Sequence, residues 1–290
     1  MNYQHAYHAG SAADVLKHAV LTLCLKRLVE KEKPLFVLDT HAGDGRYPIH
    51  TAPEAREGIL RLWPERAQLP ALADYFGVIG RYNGVALKTY PGSPLVIRSL
   101  LRPTDRFVAI EQSPRAHAAL QQALLPAPQT QIFLGSAWQG LHALLPPPER
   151  RGLILIDPPY ESVHERRELL DGLKAARTRF RQGVYLVWYP VKVRREADRL
   201  RAGIAELGET LFAELLTYPP DVHNRLNGSG IAILNPPFGI EKRLGEVLPE
   251  LARALSQDGV SRYTLESAAG STEALTGPAD RPTRSRRRSS

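Results

Sequence analysis

Leu153-Ile154-Leu155-Ile156-Asp157-Pro158-Pro159-Tyr160 is the stretch that decides how this chain folds. Its first four residues are apolar and half of them β-branched, the composition of a strand buried on both faces of a parallel sheet. The run then stops at an acid, two prolines and an aromatic ring. That sets a polar, conformationally restricted turn at the carboxyl end of a strand, the edge at which open α/β sheets bind ligands. Similar short runs at 35–38, 107–110, 131–134 and 184–188 predict further strands. Between them, 113–125, 137–145, 164–180 and 194–207 carry apolar residues at helical spacing. Ser113-Pro114 supplies a capping side chain before a proline at the first helical position. This alternation predicts a mostly parallel sheet with helices on both faces. The runs 211–217 and 231–234, with only a loop between them, predict an antiparallel pair, followed by a helix at 241–256 and a strand at 260–266.

One interval breaks the rhythm. The first strand ends at Asp39 and the second at Glu111, far more chain than a single crossover helix needs. The surplus predicts an insertion of short helices over 47–91, with the crossover helix at 94–101 capped by Ser93. The expected organisation is therefore a main domain of 1–46 and 92–267, a helical insertion of 47–91, and a basic tail of 268–290 without fixed structure. An amphipathic helix is expected at about 12–30, preceded by a polar and aromatic arm with Tyr3, His5, Tyr7 and His8. His5 and His8 lack a third residue at metal-ligand spacing, so no metal is expected.

The strand tips carry the chemistry. Residues 35–45 run from an apolar strand through Asp39 into Gly43-Asp44-Gly45, a turn that lets backbone approach a ligand closely. The full dinucleotide fingerprint is missing, which counts against a nicotinamide cofactor. Glu111, at the tip of the second strand, suits the two ribose hydroxyls of an adenosine-containing ligand. At the fourth strand, the Asp157 carboxylate and the Pro158 carbonyl are both acceptors, matching the two N–H donors of an exocyclic adenine amine. Pro158 and Pro159 fix those acceptors, and Tyr160 offers a ring on which an extruded base can stack. Asp157 can also take up the proton that the amine loses. A second tetrapeptide, Asn235-Pro236-Pro237-Phe238, has the same pattern and is the alternative, which would suit a glutamine side chain. Its place in the late antiparallel pair favours reading it as a structural turn.

Composition sets wider bounds. The single Cys24 excludes a disulfide framework and a cysteine zinc site. No apolar run has the roughly 20 residues that span a bilayer, and the N-terminus lacks a signal peptide's features, so a cytoplasmic protein is expected. The net charge is +8, but the five arginines of 281–290 supply most of it. That tail fits either a polyanionic partner or a solvated end.

Taken together, Tyr3…His5…His8-Ala-Gly10…Ala13-Asp14-Val15-Leu16-Lys17-His18, Leu38-Asp-Thr-His-Ala-Gly43, Tyr90-Pro-Gly-Ser-Pro94 and the 153–160 stretch resemble the bacterial ribosomal RNA large subunit methyltransferase J family. Trp188-Tyr189-Pro190 and Asn235-Pro236-Pro237 fit it as well, so the likeness runs from residue 3 to about 266. The resemblance implies a Rossmann-like fold and transfer of a methyl group from S-adenosylmethionine to N6 of one adenine in large-subunit ribosomal RNA. It implies a cofactor site at His18, His41, Gly43, Ser93, Glu111, Ser136, Ala137 and Asp157. It also implies an N-terminal arm, 1–18, that meets the RNA through Tyr3, His5 and Lys17, with Lys17 on a phosphate or the adenine. The chain departs from the family at Gly135-Ser136-Ala137, where an acid normally accepts from the cofactor's adenine amine. A charged acceptor bond is about twice as strong as a neutral one, so Ser136→Asp should tighten S-adenosylmethionine binding. An unchanged dissociation constant in calorimetry would contradict that.

The expected protein is a monomeric methyltransferase working by direct in-line transfer. The competing readings are a DNA adenine or protein glutamine methyltransferase, and a non-catalytic RNA-binding assembly factor.

Overall fold

Alternate residues of the central strands enter two different cores, which is why each strand reads as an unbroken apolar run. The computed structural model describes residues 5–270 other than 163, 221, 223, 224 and 261. Tyr3 and the arginine tail lie outside the described residues, and His5 is described only as backbone. The helices α1 (His5–His8) and α2 (Ala12–Val29) precede strand β1 (Phe36–Asp39). Then come β2 (Arg46–Pro48), α3 (Ile59–Leu62), α4 (Ala73–Gly80), β3 (Thr89–Pro91) and α5 (Ser93–Leu100). The alternating part runs through β4 (Arg106–Glu111), α6 (Pro114–Leu124), β5 (Thr130–Leu134), α7 (Ala137–Leu144), β6 (Gly152–Ile156), α8 (Glu165–Arg179), β7 (Val184–Val191) and α9 (Arg194–Ala205). It closes with β8 (Thr210–Leu216), β9 (Gly228–Leu234), α10 (Ile240–Leu255) and β10 (Arg262–Ala268).

The eight-stranded sheet has the order β10-β8-β9-β7-β6-β1-β4-β5. The five strands from β5 to β7 are parallel, and β9, β8 and β10 add antiparallel neighbours. This is the mostly parallel α/β architecture that the alternation predicts, in the Rossmann-like form that the resemblance implies. Leu38, Val108, Ile110, Ile154 and Ile156 face a core shared with Leu141, Leu173 and Ile204 of α7, α8 and α9. Val37, Phe107, Leu153 and Leu155 face the other, shared with Leu16 of α2, Val96 of α5, Leu120 of α6 and Leu251 of α10. From β1 the chain crosses to β4 on one side and later returns to β6 on the other. A crevice therefore opens beyond the carboxyl ends of β1, β4 and β6, the switch point of such sheets.

Several expectations need adjustment. The helix α5 starts at Ser93 rather than being capped by it; the N-cap is Gly92, in extended backbone. The Gly92 amide donates to the Gly45 carbonyl at 2.8 Å, and a Cβ there would lie 3.1 Å from the Tyr47 ring. Tight approach to the glycine turn thus moves the helix start by one residue. The insertion does contain short helices, but its ends also pair as an antiparallel ladder, Arg46 with Pro91 and Pro48 with Thr89. Its apolar residues Ile59, Leu62, Tyr75 and Ile79 belong to the α2–α10 core. The strand β7 runs past Trp188 to Val191, because Pro190 lies beyond the pairing with β6 and needs no amide on that side. Cys24 is fully buried, and burial pushes its thiol well up.

Candidate active site

Three strand tips meet at the crevice. Asp39 ends β1, Glu111 ends β4, and Asp157 follows β6. The Glu111 carboxylate is aimed by two backbone amides: Gly43 donates to Oε2 at 2.8 Å and Ser113 to Oε1 at 2.7 Å. Each oxygen keeps a further lone pair, so the carboxylate can still accept from two hydroxyls. Gly43 has φ +63, and a Cβ on it would stand 2.3 Å from the Tyr47 hydroxyl. Only glycine leaves the cradle open at that point. The Tyr47 hydroxyl in turn accepts from the Asp44 amide at 2.8 Å, holding the turn from below.

The cleft, about 240 Å³, is lined by Lys17, Thr40, His41, Gly43, Ser93, Glu111, Ala137, Asp157 and Pro159, among others. The structure thus brings together six of the expected cofactor residues: His41, Gly43, Ser93, Glu111, Ala137 and Asp157. Ser136 is the N-cap of α7 and forms no side-chain capping bond. His18 is placed elsewhere. Its ring is fully buried, with Nδ1 2.9 Å from the Tyr90 hydroxyl and the two rings stacked. It is not among the residues that line the cleft. Burial lowers the His41 imidazole to about 4, so the ring is neutral near pH 7.

Asp157 does not stand alone. The Lys17 ammonium lies 2.5 Å from Asp157 Oδ2 and 2.7 Å from Asp14 Oδ1, with only 4% of its side chain exposed. Burial alone would lower Lys17, but the two carboxylates outweigh it and hold the ammonium well above its ordinary value. Lys17 is therefore not offered to an RNA phosphate as expected; two carboxylates already neutralise it. Asp14, missed as a site residue, is also fixed by the Gly10 amide at 3.0 Å. The i, i+3 spacing of Asp14 and Lys17 on α2 was the available signal. Tyr160 adopts φ +54, donates its hydroxyl to the Trp188 carbonyl at 2.7 Å and tilts against the Trp188 ring at 5.7 Å. Pro158 is buried and Pro159 exposed at the cleft rim.

Asn235 lies at the opposite rim of the sheet. The strand β9 runs antiparallel to β7, and Leu234 pairs with Tyr185 near the start of β7. The Asn235 amide donates to the carbonyl of Gln182 at 2.9 Å, closing a turn. It shares no cavity with Glu111 or the glycine turn.

Asp39 is fully buried, and burial pushes its carboxyl up to about 6, with Asp157 adding to the rise and hydrogen bonds from Ser93 and the His41 amide opposing it. The native chain then holds this proton at pH values where the unfolded chain, near 3.8, has lost it. Stability contributed by the protonated form is full below about pH 4 and declines as pH rises towards 6. Asp39→Asn should therefore gain about 3 kcal/mol relative to the parent between acid and neutral pH, at roughly 1.4 kcal/mol per unit. Urea unfolding across that range measures it, and a pH-independent difference would contradict the assignment.

The cleft chemistry fits S-adenosylmethionine: paired acceptors for ribose at Glu111, an open glycine cradle beside it, and an acid at the far end. A family model described as Ribosomal RNA large subunit methyltransferase D, RlmJ matches residues 32–266. The protein named Ribosomal RNA large subunit methyltransferase J from Haemophilus influenzae (strain ATCC 51907 / DSM 11121 / KW20 / Rd) is 37% identical over 275 residues, covering 92% of this chain and 98% of its own length. Its namesake from Escherichia coli (strain K12) is 37% identical over 274 residues, covering 91% and 98%. The crystal structure of protein LPL1258 from Legionella pneumophila str. Philadelphia 1 is similar over 91% of this chain and 99% of that one, with 34% identity and a TM-score of 0.85.

Proposed function

As the chain belongs to the ribosomal RNA large subunit methyltransferase J family, we propose that it methylates the N6 amine of one adenine in large-subunit ribosomal RNA, with Asp157 as the residue that receives that amine. The observation carrying this reading is the position of Asp157: it shares one cleft with Glu111 and the Gly43 cradle, while Asn235 stands at the opposite rim. S-adenosylmethionine, when bound, supplies an electrophilic methyl group on a sulfonium centre. His41, Gly43, Ser93, Glu111 and Ala137 line the space that would hold it.

Everything else falls to the chain's own residues. The Asp157 carboxylate and the Pro158 carbonyl accept the two N–H bonds of the amine, which turns the nitrogen lone pair out of the ring plane and towards the donor. The proton released after transfer has a carboxylate at hand in Asp157. The Tyr160 hydroxyl is tied to the Trp188 carbonyl, which fixes its ring, and in this reading the extruded base lies against that ring. Lys17 positions Asp157 by holding one of its oxygens, leaving the other for substrate. Tyr3 and His5, ahead of the described side chains, complete the substrate side in this reading.

The organisation proposed is a main domain of 1–46 and 92–267 interrupted by the 47–91 insertion. The protein is proposed to act as a cytoplasmic monomer without a metal. No described helix is long and apolar enough to cross a membrane, and among the described residues no cluster could hold a metal ion.

The test is methyl transfer from labelled S-adenosylmethionine to protein-free large-subunit ribosomal RNA, with digestion and identification of the labelled nucleoside. Label in N6-methyladenosine, retained in Asn235→Ala, supports the reading. Label on protein or DNA instead would overturn it.

A further inference from the structure

A second, larger groove opens on the same edge of the sheet, between the insertion and the loops after β7 and β8. Its acids are already engaged. Glu54 lies 2.9 Å from His8 Nδ1, and Glu57 accepts from the Tyr218 hydroxyl at 2.7 Å with Arg225 4.0 Å away. Arg225 shares Glu57, but three further cations are not engaged: Arg56, Lys192 and Arg195 are exposed, and among the described residues none of the three has a carboxylate within 4.0 Å. Arg194, the neighbour of Arg195, turns inward instead, to the buried carboxylate of Glu214 at 2.6 Å. That anchors the first turn of α9 and leaves Arg195 facing out. Asn227, fully buried, donates to the Lys192 carbonyl at 2.9 Å and fixes the loop that carries Lys192. Tyr218 has the Arg225 guanidinium 3.7 Å over one face of its ring.

The groove lies close to the methyl-transfer cleft. Ala13 lines the groove and Lys17 lines the cleft, four residues apart on α2 and so about 6 Å along its axis. We propose that the groove is the track for the single-stranded RNA flanking the target adenine, with Arg56, Lys192 and Arg195 on its phosphates and Tyr218 beneath a neighbouring base. Free cations along a groove and an aromatic face within it are the chemistry that single strands require. An extruded base must also drag its flanking phosphates past this edge. The proposal rests on the RNA reading above, so binding and turnover are measured apart.

The experiment is filter binding of protein-free large-subunit ribosomal RNA to the full chain and to Lys192→Gln with Arg195→Gln, over a salt series. Calorimetry with S-adenosylmethionine checks that the variant still folds. The expected result is about tenfold weaker RNA binding, and a plot of log affinity against log salt shallower by about 1.4, at ~0.7 per lost single-strand phosphate contact. Cofactor affinity should not change. Unchanged RNA affinity in a variant that binds cofactor normally would overturn the groove and leave the methyltransferase reading standing. Lost binding in the variant, with no methyl transfer to RNA by the parent, would do the reverse. An absence of RNA binding by the parent would sink both.

Discussion

Replacing Asp157 by alanine is expected to slow methyl transfer about 10²–10³-fold, the loss typical when one preorganised polar partner of the reacting group is removed. The reason lies in the geometry around it. Asp157 is only part-exposed, and one of its oxygens is held by Lys17 at 2.5 Å, so the other is set before the substrate arrives. Alanine removes both the acceptor for the amine and the route for its proton. Cofactor affinity should change far less, because Glu111 and the glycine cradle are untouched. Asp157→Asn keeps one acceptor but turns a donor towards substrate or Lys17, and should fall between. Single-turnover rates on ribosomal RNA, beside cofactor titrations, separate the two effects. A rate near that of the parent would remove Asp157 from the chemistry and bring Asn235 back.

Lys17→Met is expected to cost about 3–5 kcal/mol of folding stability, the range for breaking a buried ion pair by deleting one partner. Lys17 and Asp14 are each only 4% exposed, and the ammonium sits between two carboxylates. Methionine fills the volume but leaves Asp14 charged and without its cation. The combined change Lys17→Met with Asp14→Asn should recover most of the loss, since it removes the charge along with its partner. Urea unfolding of the three variants gives the comparison. If the single and double changes were equally destabilised, packing rather than charge would account for the cost.

How far the sequence carried these conclusions depends on what each residue answers to. The central strands were legible because every position of an apolar run such as 153–156 enters one core or the other. Asp157, Glu111 and Gly43 were legible because they terminate those strands. The ladder of β2 and β3 was not, since strands of three residues are too short to leave a periodic trace. Ser93 looked like a cap and is not, because the close approach of Gly92 to Gly45 lies in the fold and not in local propensity. The Lys17–Asp157 pair joins residues 140 apart, and no spacing rule reaches that far. His18 matched the family by letter, and its burial against Tyr90 depends on a residue 72 positions away. Asn235 spells the same turn as Asp157, and only the direction of β9 separates them.

The clasp at the base of the insertion has a consequence for how the chain tolerates cutting. A segment whose two ends meet in a short ladder is, by connectivity, a detachable loop. Its apolar side chains, however, are packed among those of α2 and α10. A protease that nicks the exposed bend near Val85, which is 91% exposed, therefore severs the polypeptide without freeing either piece. The two fragments should migrate together on a sizing column and come apart only when the whole molecule melts.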